Sequence, residues 1–236
     1  MPRNEDLDRL ATLAHDIAER PAWRGFAAYL DLRAKGRRVE ALRALDAFLD
    51  DAARWDFAAR QSLLLWLAQR RADLLIANLL IPQPLWRRVI APTASEWLVR
   101  EPESARANYL YAVYVATTEE GGVQPLDYVR TAIRLDPRDQ MARTTFVRWV
   151  AGDVQNAQHE LPWHGYLGVA TEDVRDLQDA LTIAEGIDDV ALRQSVAAEL
   201  TEMLDIANAW DAYQRAAGDT GFADWCAAQG APAAML

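Results

Sequence analysis

The residues with the most chemical potential lie in one short stretch, His159-Glu160-Leu161-Pro162-Trp163-His164, where two imidazoles and a carboxylate fall within six positions. Two histidines four apart on a helix share a face and can hold one zinc ion, with an intervening glutamate as general base. Here the histidines are five apart, roughly 140° around a helix, and Pro162 breaks any helix between them. A helical zinc site is thereby excluded. The alternative chemistry is a loop metal site or enzyme centre on His159 and His164, with Glu160 and Asp153 converging on it. The preferred reading involves no metal: His159 ends a helix, where a cation is favoured, and Trp163 and Tyr166 anchor the loop.

Other catalytic patterns are missing. The chain has no Gly-rich phosphate loop, no GxGxxG after a strand, no GxSxG elbow and no paired-cysteine zinc motif. None of its three histidines follows a glutamate by three residues, the pairing that a di-iron bundle needs. His15, beside Asp16 and Glu19, has no nucleophile near it in sequence and reads as a surface helix residue. Cys226 is the only cysteine, so an intrachain disulfide and a thiolate metal cluster are both excluded, and it reads as a packed, inert side chain. No cofactor is expected. Of nine tryptophans, Trp23, Trp66, Trp149 and Trp210 fall on apolar helical stripes and are expected in the core. Trp86, beside Arg87 and Arg88, and Trp163 have no such placement and are candidate interface anchors. The candidate binding residues are Trp86, Arg87, His159, Trp163, His164 and Tyr166; none is expected to be catalytic.

The elements that must position these residues are helices. Trp23, Phe26, Ala27, Leu30 and Ala34 form one apolar stripe. Gly36 stops that helix, and Val39, Leu42, Leu45, Phe48 and Leu49 restart the period, which predicts an antiparallel hairpin. Leu192, Val196, Leu200, Met203, Ala207 and Trp210 predict a long helix of about six or seven turns. Thr93 and Glu96 read as a capping box, Pro102 and Pro137 as helix starts, and Gly121-Gly122, Gly152, Gly186 and Gly218 as helix ends. No stretch alternates like a strand, so an all-α fold of about ten helices is expected. Three prolines in 81–93 permit only a short helix around Leu85–Ile90. The segment 81–92 is read as a hinge inside one helical domain, 1–236, with sub-blocks 1–80 and 93–236. The longest expected loop is 161–171.

Charge is unevenly placed. Residues 1–150 carry 22 basic and 20 acidic side chains, whereas residues 151–236 carry 3 basic and 15 acidic ones. A field of that sign repels phosphates and favours basic partners. Nucleic-acid binding through Arg33, Lys35, Arg37 and Arg38 is disfavoured on this ground. The most apolar segment, 61–81, is interrupted by Arg70, Arg71 and Asp73, short of the roughly 20 apolar residues of a membrane span. The acidic start MPRNEDLDRL lacks the basic and apolar regions of a secretory signal, so no membrane partner and a cytoplasmic location are expected.

Two stretches, about a third of the chain, resemble the tetratricopeptide repeat, a helix-turn-helix unit of roughly 34 residues. In YLDLRAKGRRVEALRALDAFL, Gly36 precedes Ala41 by five residues, like that family's turn glycine and the small residue of its second helix. In PLDYVRTAIRLDPRD, Ala132 precedes Pro137 by five, like the closing alanine and the proline that opens the next repeat. The resemblance implies antiparallel helical hairpins, stacked as a tetratricopeptide-like α-solenoid or an irregular bundle, that bind a peptide or protein segment in a groove. With the acidic C-terminal part, the expected function is a non-enzymatic protein-interaction module for a basic protein or peptide. One concrete form is an immunity- or antitoxin-like inhibitor that masks a cationic surface.

Overall fold

The computed structural model describes residues 3–70, 77–118, 124–161, 165–216 and 220–230. Among them there is no strand. The helices are α1 (Arg3–Ile17), α2 (Arg24–Ala34), α3 (Arg38–Ala52), α4 (Phe57–Arg70), α5 (Ala77–Leu80), α6 (Gln83–Leu85), α7 (Ala91–Arg100), α8 (Ala105–Tyr114), α9 (Pro125–Leu135), α10 (Gln140–Gln158), α11 (Ala170–Ala184), α12 (Val190–Ala216) and α13 (Phe222–Ala228). None is long and apolar enough to cross a membrane. The chain divides into two compact units, Met1–Pro125 and Leu126–Leu236, and the proline-rich segment 81–92 lies inside the first.

In the first unit the stripe on α2 meets both neighbours, α1 and α3. Trp23, Phe26 and Leu30 are buried, and the Phe26 ring stands 5.7 Å from Tyr29, 5.5 Å from Phe48 and 6.2 Å from Trp66, centroid to centroid. Tyr29 completes the packing by donating its hydroxyl to the Leu79 carbonyl at 2.9 Å. Gly36, at φ 73°, makes the turn into α3. The buried face of α3 is Ala41, Leu45, Phe48, Leu49 and Ala52. Val39 and Leu42, expected on the same stripe, are instead 61% and 39% exposed, because they fall in the first turn and on the outer edge of that face.

The segment 83–100 corrects the expectation of a short helix with a break. Pro84 lies in the first turn of α6, where a missing N–H costs nothing. Pro92 has no N–H, and its ring would clash with the Arg88 carbonyl in a regular turn. The chain answers with a wider π turn over Trp86–Ile90, in which the Ala91 N–H reaches back to the Trp86 carbonyl, and then continues into α7. Thr93 is therefore not a cap. It is buried within the helix and donates its hydroxyl to the Val89 carbonyl at 2.5 Å, while Glu96 pairs with Arg60 of α4 at 2.8 Å. Pro102 and Pro137 lie in the turns before α8 and α10, whose caps are Ser104 and Asp139. Asp139 Oδ1 accepts from Met141 N at 3.0 Å and Ala142 N at 3.1 Å.

In the second unit α10 packs on α11 and α12, and α13 closes on α12. Where these helices pack, Phe146, Val150 and Val154 of α10, Leu177 and Ala184 of α11, and Leu200 and Ala207 of α12 are fully buried. Gln140 pins the α11–α12 connection to the start of α10: its amide donates to the Gly186 carbonyl at 3.0 Å and accepts from Asp188 N at 2.9 Å. Gly152, expected to end a helix, sits inside α10, because the apolar face from Ala142 to Ala157 carries the helix past it.

Two glycines in helices give opposite expectations. A Cβ at Gly25 would meet the Phe48 Cβ at 2.9 Å and its Cα at 3.4 Å, so α2 and α3 would have to separate. Gly25→Ala is expected to lower urea-unfolding stability by about 1–2 kcal/mol, overpacking outweighing the gain in helix propensity. A Cβ at Gly152 meets nothing within 4 Å, and Gly152→Ala is expected to raise stability by about 1 kcal/mol in the same measurement.

Candidate functional site

The side chains that stand together are on the second unit, where the connection into α11 crosses α12. Gly165 has φ 95°, and a Cβ there would lie 3.2 Å from the Trp210 ring, so a glycine is needed for the backbone to pass. Tyr166 follows, buried, its ring stacked on Trp210 at 6.2 Å and 24°. Its hydroxyl donates to Asp173 Oδ2 at 2.6 Å, and the Leu167 N–H donates to the Ala157 carbonyl of α10 at 2.7 Å. Together these bonds hold the connection against α10 and α11. Beside Tyr166 opens a groove of about 360 Å³, lined by Val169, Ala170, Trp210 and Asp211 among others. Leu167 and Val169 are 50% and 53% exposed next to it. Trp210 continues into an aromatic cluster with Tyr213 and Phe222, at 5.3 and 5.0 Å.

The electrostatics of this face are set by crowded carboxylates. Burial holds the Asp173 carboxyl above its usual range, the nearby Asp176 and Glu172 add to the effect, and the Tyr166 hydrogen bond opposes it. Partial desolvation, with the charges of Asp173 and Asp176, raises Asp153 as well. Tyr166 is pushed well above the usual phenol range by burial and by the carboxylate that its hydroxyl faces. Arg130 of α9 answers part of this charge: it bonds Asp127 at 3.0 Å, Asp176 at 3.1 Å and Asp179 at 3.3 Å, with its guanidinium 5.1 Å from the Phe146 ring centre, and Arg175 Nε lies 3.8 Å from Asp176.

Of the residues predicted from sequence, Tyr166 lies in this groove and His159 does not line it. His159 is exposed at the end of α10, its Nδ1 donating to the Asn156 carbonyl at 2.5 Å and its Nε2 lying 2.9 Å from Glu160 Oε1. Trp163 and His164 lie outside the described residues. Among those residues no group of three His, Cys, Asp or Glu side chains stands ready to hold a metal. In the first unit, half-buried Trp86 is tied inward, its indole donating to the Tyr114 carbonyl at 2.7 Å, while Arg87 is exposed. Within the basic cluster, Lys35 pairs with Asp31 at 2.7 Å and Arg37 with Glu40 at 3.1 Å. Trp23 and Trp66 are buried as expected, whereas Trp149 and Trp210 are half-buried. Cys226 is buried, which raises its thiol pKa. Sequence reasoning expected Trp210 in the core and did not single out Asp173 or Arg130; the concentration of acid over 151–236 is the signal that pointed towards Asp173.

No protein-family model matches the chain, and neither a curated protein nor a solved structure matches it.

Two expectations follow from these contacts. Asp153 and Asp173 have folded-state pKa values above their unfolded ones, so their contribution to stability is complete below the unfolded value near about 3.9 and is lost as pH rises through the raised values. Thermal melting is expected to show Asp173→Asn flattening the decline in stability as pH rises above about 4, and an unchanged slope would assign that decline to other groups. Trp86→Phe is expected to cost about 1 kcal/mol on chemical denaturation, through the lost hydrogen bond to Tyr114.

Proposed function

We propose that this protein is a non-enzymatic interaction module that binds a basic protein or peptide through its second unit. One observation carries the reading. Residues 1–125 hold 17 basic and 17 acidic side chains and are neutral, whereas residues 126–236 hold 8 and 18, so the second unit bears the whole net charge of −10. A charge segregated in this way steers cationic partners to one part of the molecule. The candidate metal-site residues His159 and Glu160 are engaged with each other. The helical hairpins are consistent with a degenerate tetratricopeptide-like scaffold, and an inhibitor that masks a cationic surface in the cytoplasm is its most concrete form.

The test uses the full chain as bait in a native lysate at low salt. The expected captured protein is basic, is released as salt is raised towards 0.5 M (about threefold physiological ionic strength), and associates about tenfold more slowly with a triple variant. That variant, Glu199→Gln, Glu202→Gln and Asp205→Asn, neutralises three exposed carboxylates of α12 without touching a buried side chain. Partners that are acidic, or capture indifferent to salt and to the variant, would refute the proposal.

A further inference from the structure

Charge explains attraction but not where a partner would seat itself, and the Tyr166–Trp210 groove has the features of a seat. It is open, about 360 Å³, and walled by two stacked aromatic rings. That wall is fixed in place: Tyr166 is tethered through its hydroxyl to Asp173, and Gly165 lets the backbone lie close against Trp210. Rigid aromatic side chains bury area at little entropic cost, which is why they anchor interfaces. Val169 lines the groove at 53% exposure and Leu167 beside it is 50% exposed, so two branched apolar side chains face water here. Glu172, exposed, follows the lining residue Thr171, and the Asp173 carboxylate holds the Tyr166 hydroxyl; Asp211 lines the groove and is itself paired with Arg215.

We infer that this groove accepts one aliphatic side chain of a basic partner segment, whose flanking arginines or lysines meet Glu172 and Asp173. The inference rests on the reading of the second unit as a receptor for basic partners and adds the seat and the pattern recognised. Charge complementarity selects the occupant: a second copy of this chain would bring like charge to a unit that already carries the whole −10, and an acidic segment would meet the same repulsion. The apolar wall then distinguishes an arginine-rich segment that carries an aliphatic anchor from one that does not.

The experiment is fluorescence anisotropy with the full chain and three labelled peptides. The first is Gly-Arg-Arg-Gly-Leu-Gly-Arg-Arg-Gly, the second has glycine for the leucine, and the third has glutamates for the arginines. At low salt the leucine peptide is expected to bind about tenfold more tightly than its glycine counterpart, as partial burial of one leucine implies. That increment is expected to disappear in Val169→Asn and Leu167→Asn, both at exposed positions, and to persist in Val99→Asn, an 82% exposed control in the first unit. Equal affinity for the leucine and glycine peptides, or an increment untouched by Val169→Asn, overturns the groove while leaving charge-driven binding intact. Failure of both arginine peptides to bind overturns the groove and counts against the charge reading too. Binding of the glutamate peptide as tightly as the leucine peptide overturns the assignment of a basic occupant.

Discussion

A helix that commits one face to a core leaves its remaining positions no freedom to spread apart, and the second unit is governed by that constraint. Val150, Val154 and Ala157 of α10, and Leu177, Ala180 and Ala184 of α11, are buried. Asp153 and Asp173 are consequently held where the charge of Asp173 acts on Asp153, and Asp176 acts on both. In water such groups would move apart. Here the interior packing fixes the backbones, and partial burial, with the neighbouring charges adding to it, raises the proton affinity of both carboxyls. Arg130, drawn in over Phe146, offsets only the end of the row that contains Asp176 and Asp179.

The first unit handles charge differently. Lys35 with Asp31, Arg37 with Glu40 and Arg100 with Glu96 are pairs three or four positions apart on the surfaces of helices. Pairs of that kind contribute little to stability, but they cancel the local field. In the cation-rich stretch between α2 and α3, Lys35 and Arg37 are paired in this way. The two units thus differ in electrostatic character as well as in sequence position, and the proposed function depends on that difference.

Much of the architecture was legible because it follows from helical periodicity. Phe26 and Leu30, Leu45 and Phe48, and Leu200 and Ala207 are buried where their spacing put them. Local punctuation was less reliable, for identifiable reasons. Gly152 failed as a stop because an apolar face on both sides outweighs the roughly 1 kcal/mol cost of one glycine. Thr93 and Glu96 fit a cap motif, yet the helix had begun ten residues earlier and each side chain has a different partner. Tyr166 could be picked out as an unusual aromatic in a loop. Its engagement with Trp210 and Asp173 could not, because those partners are 44 and 7 positions away on different helices. Trp86 illustrates the converse: its neighbouring arginines suggested an interface, and its indole turns inward to a carbonyl 28 residues on.

The π turn at Trp86–Ile90 has a geometric consequence beyond accommodating Pro92. Leu85, Val89, Thr93 and Trp97 are all buried, and they recur at intervals of four. In a regular helix twelve residues would carry the last of them roughly 120° around the axis from the first. The wider turn slows that rotation, so a four-residue period keeps facing one side over three successive turns. The number of residues between Leu85 and Trp97 is thus part of the packing specification, as binding on this stretch as the apolar character of the four side chains themselves.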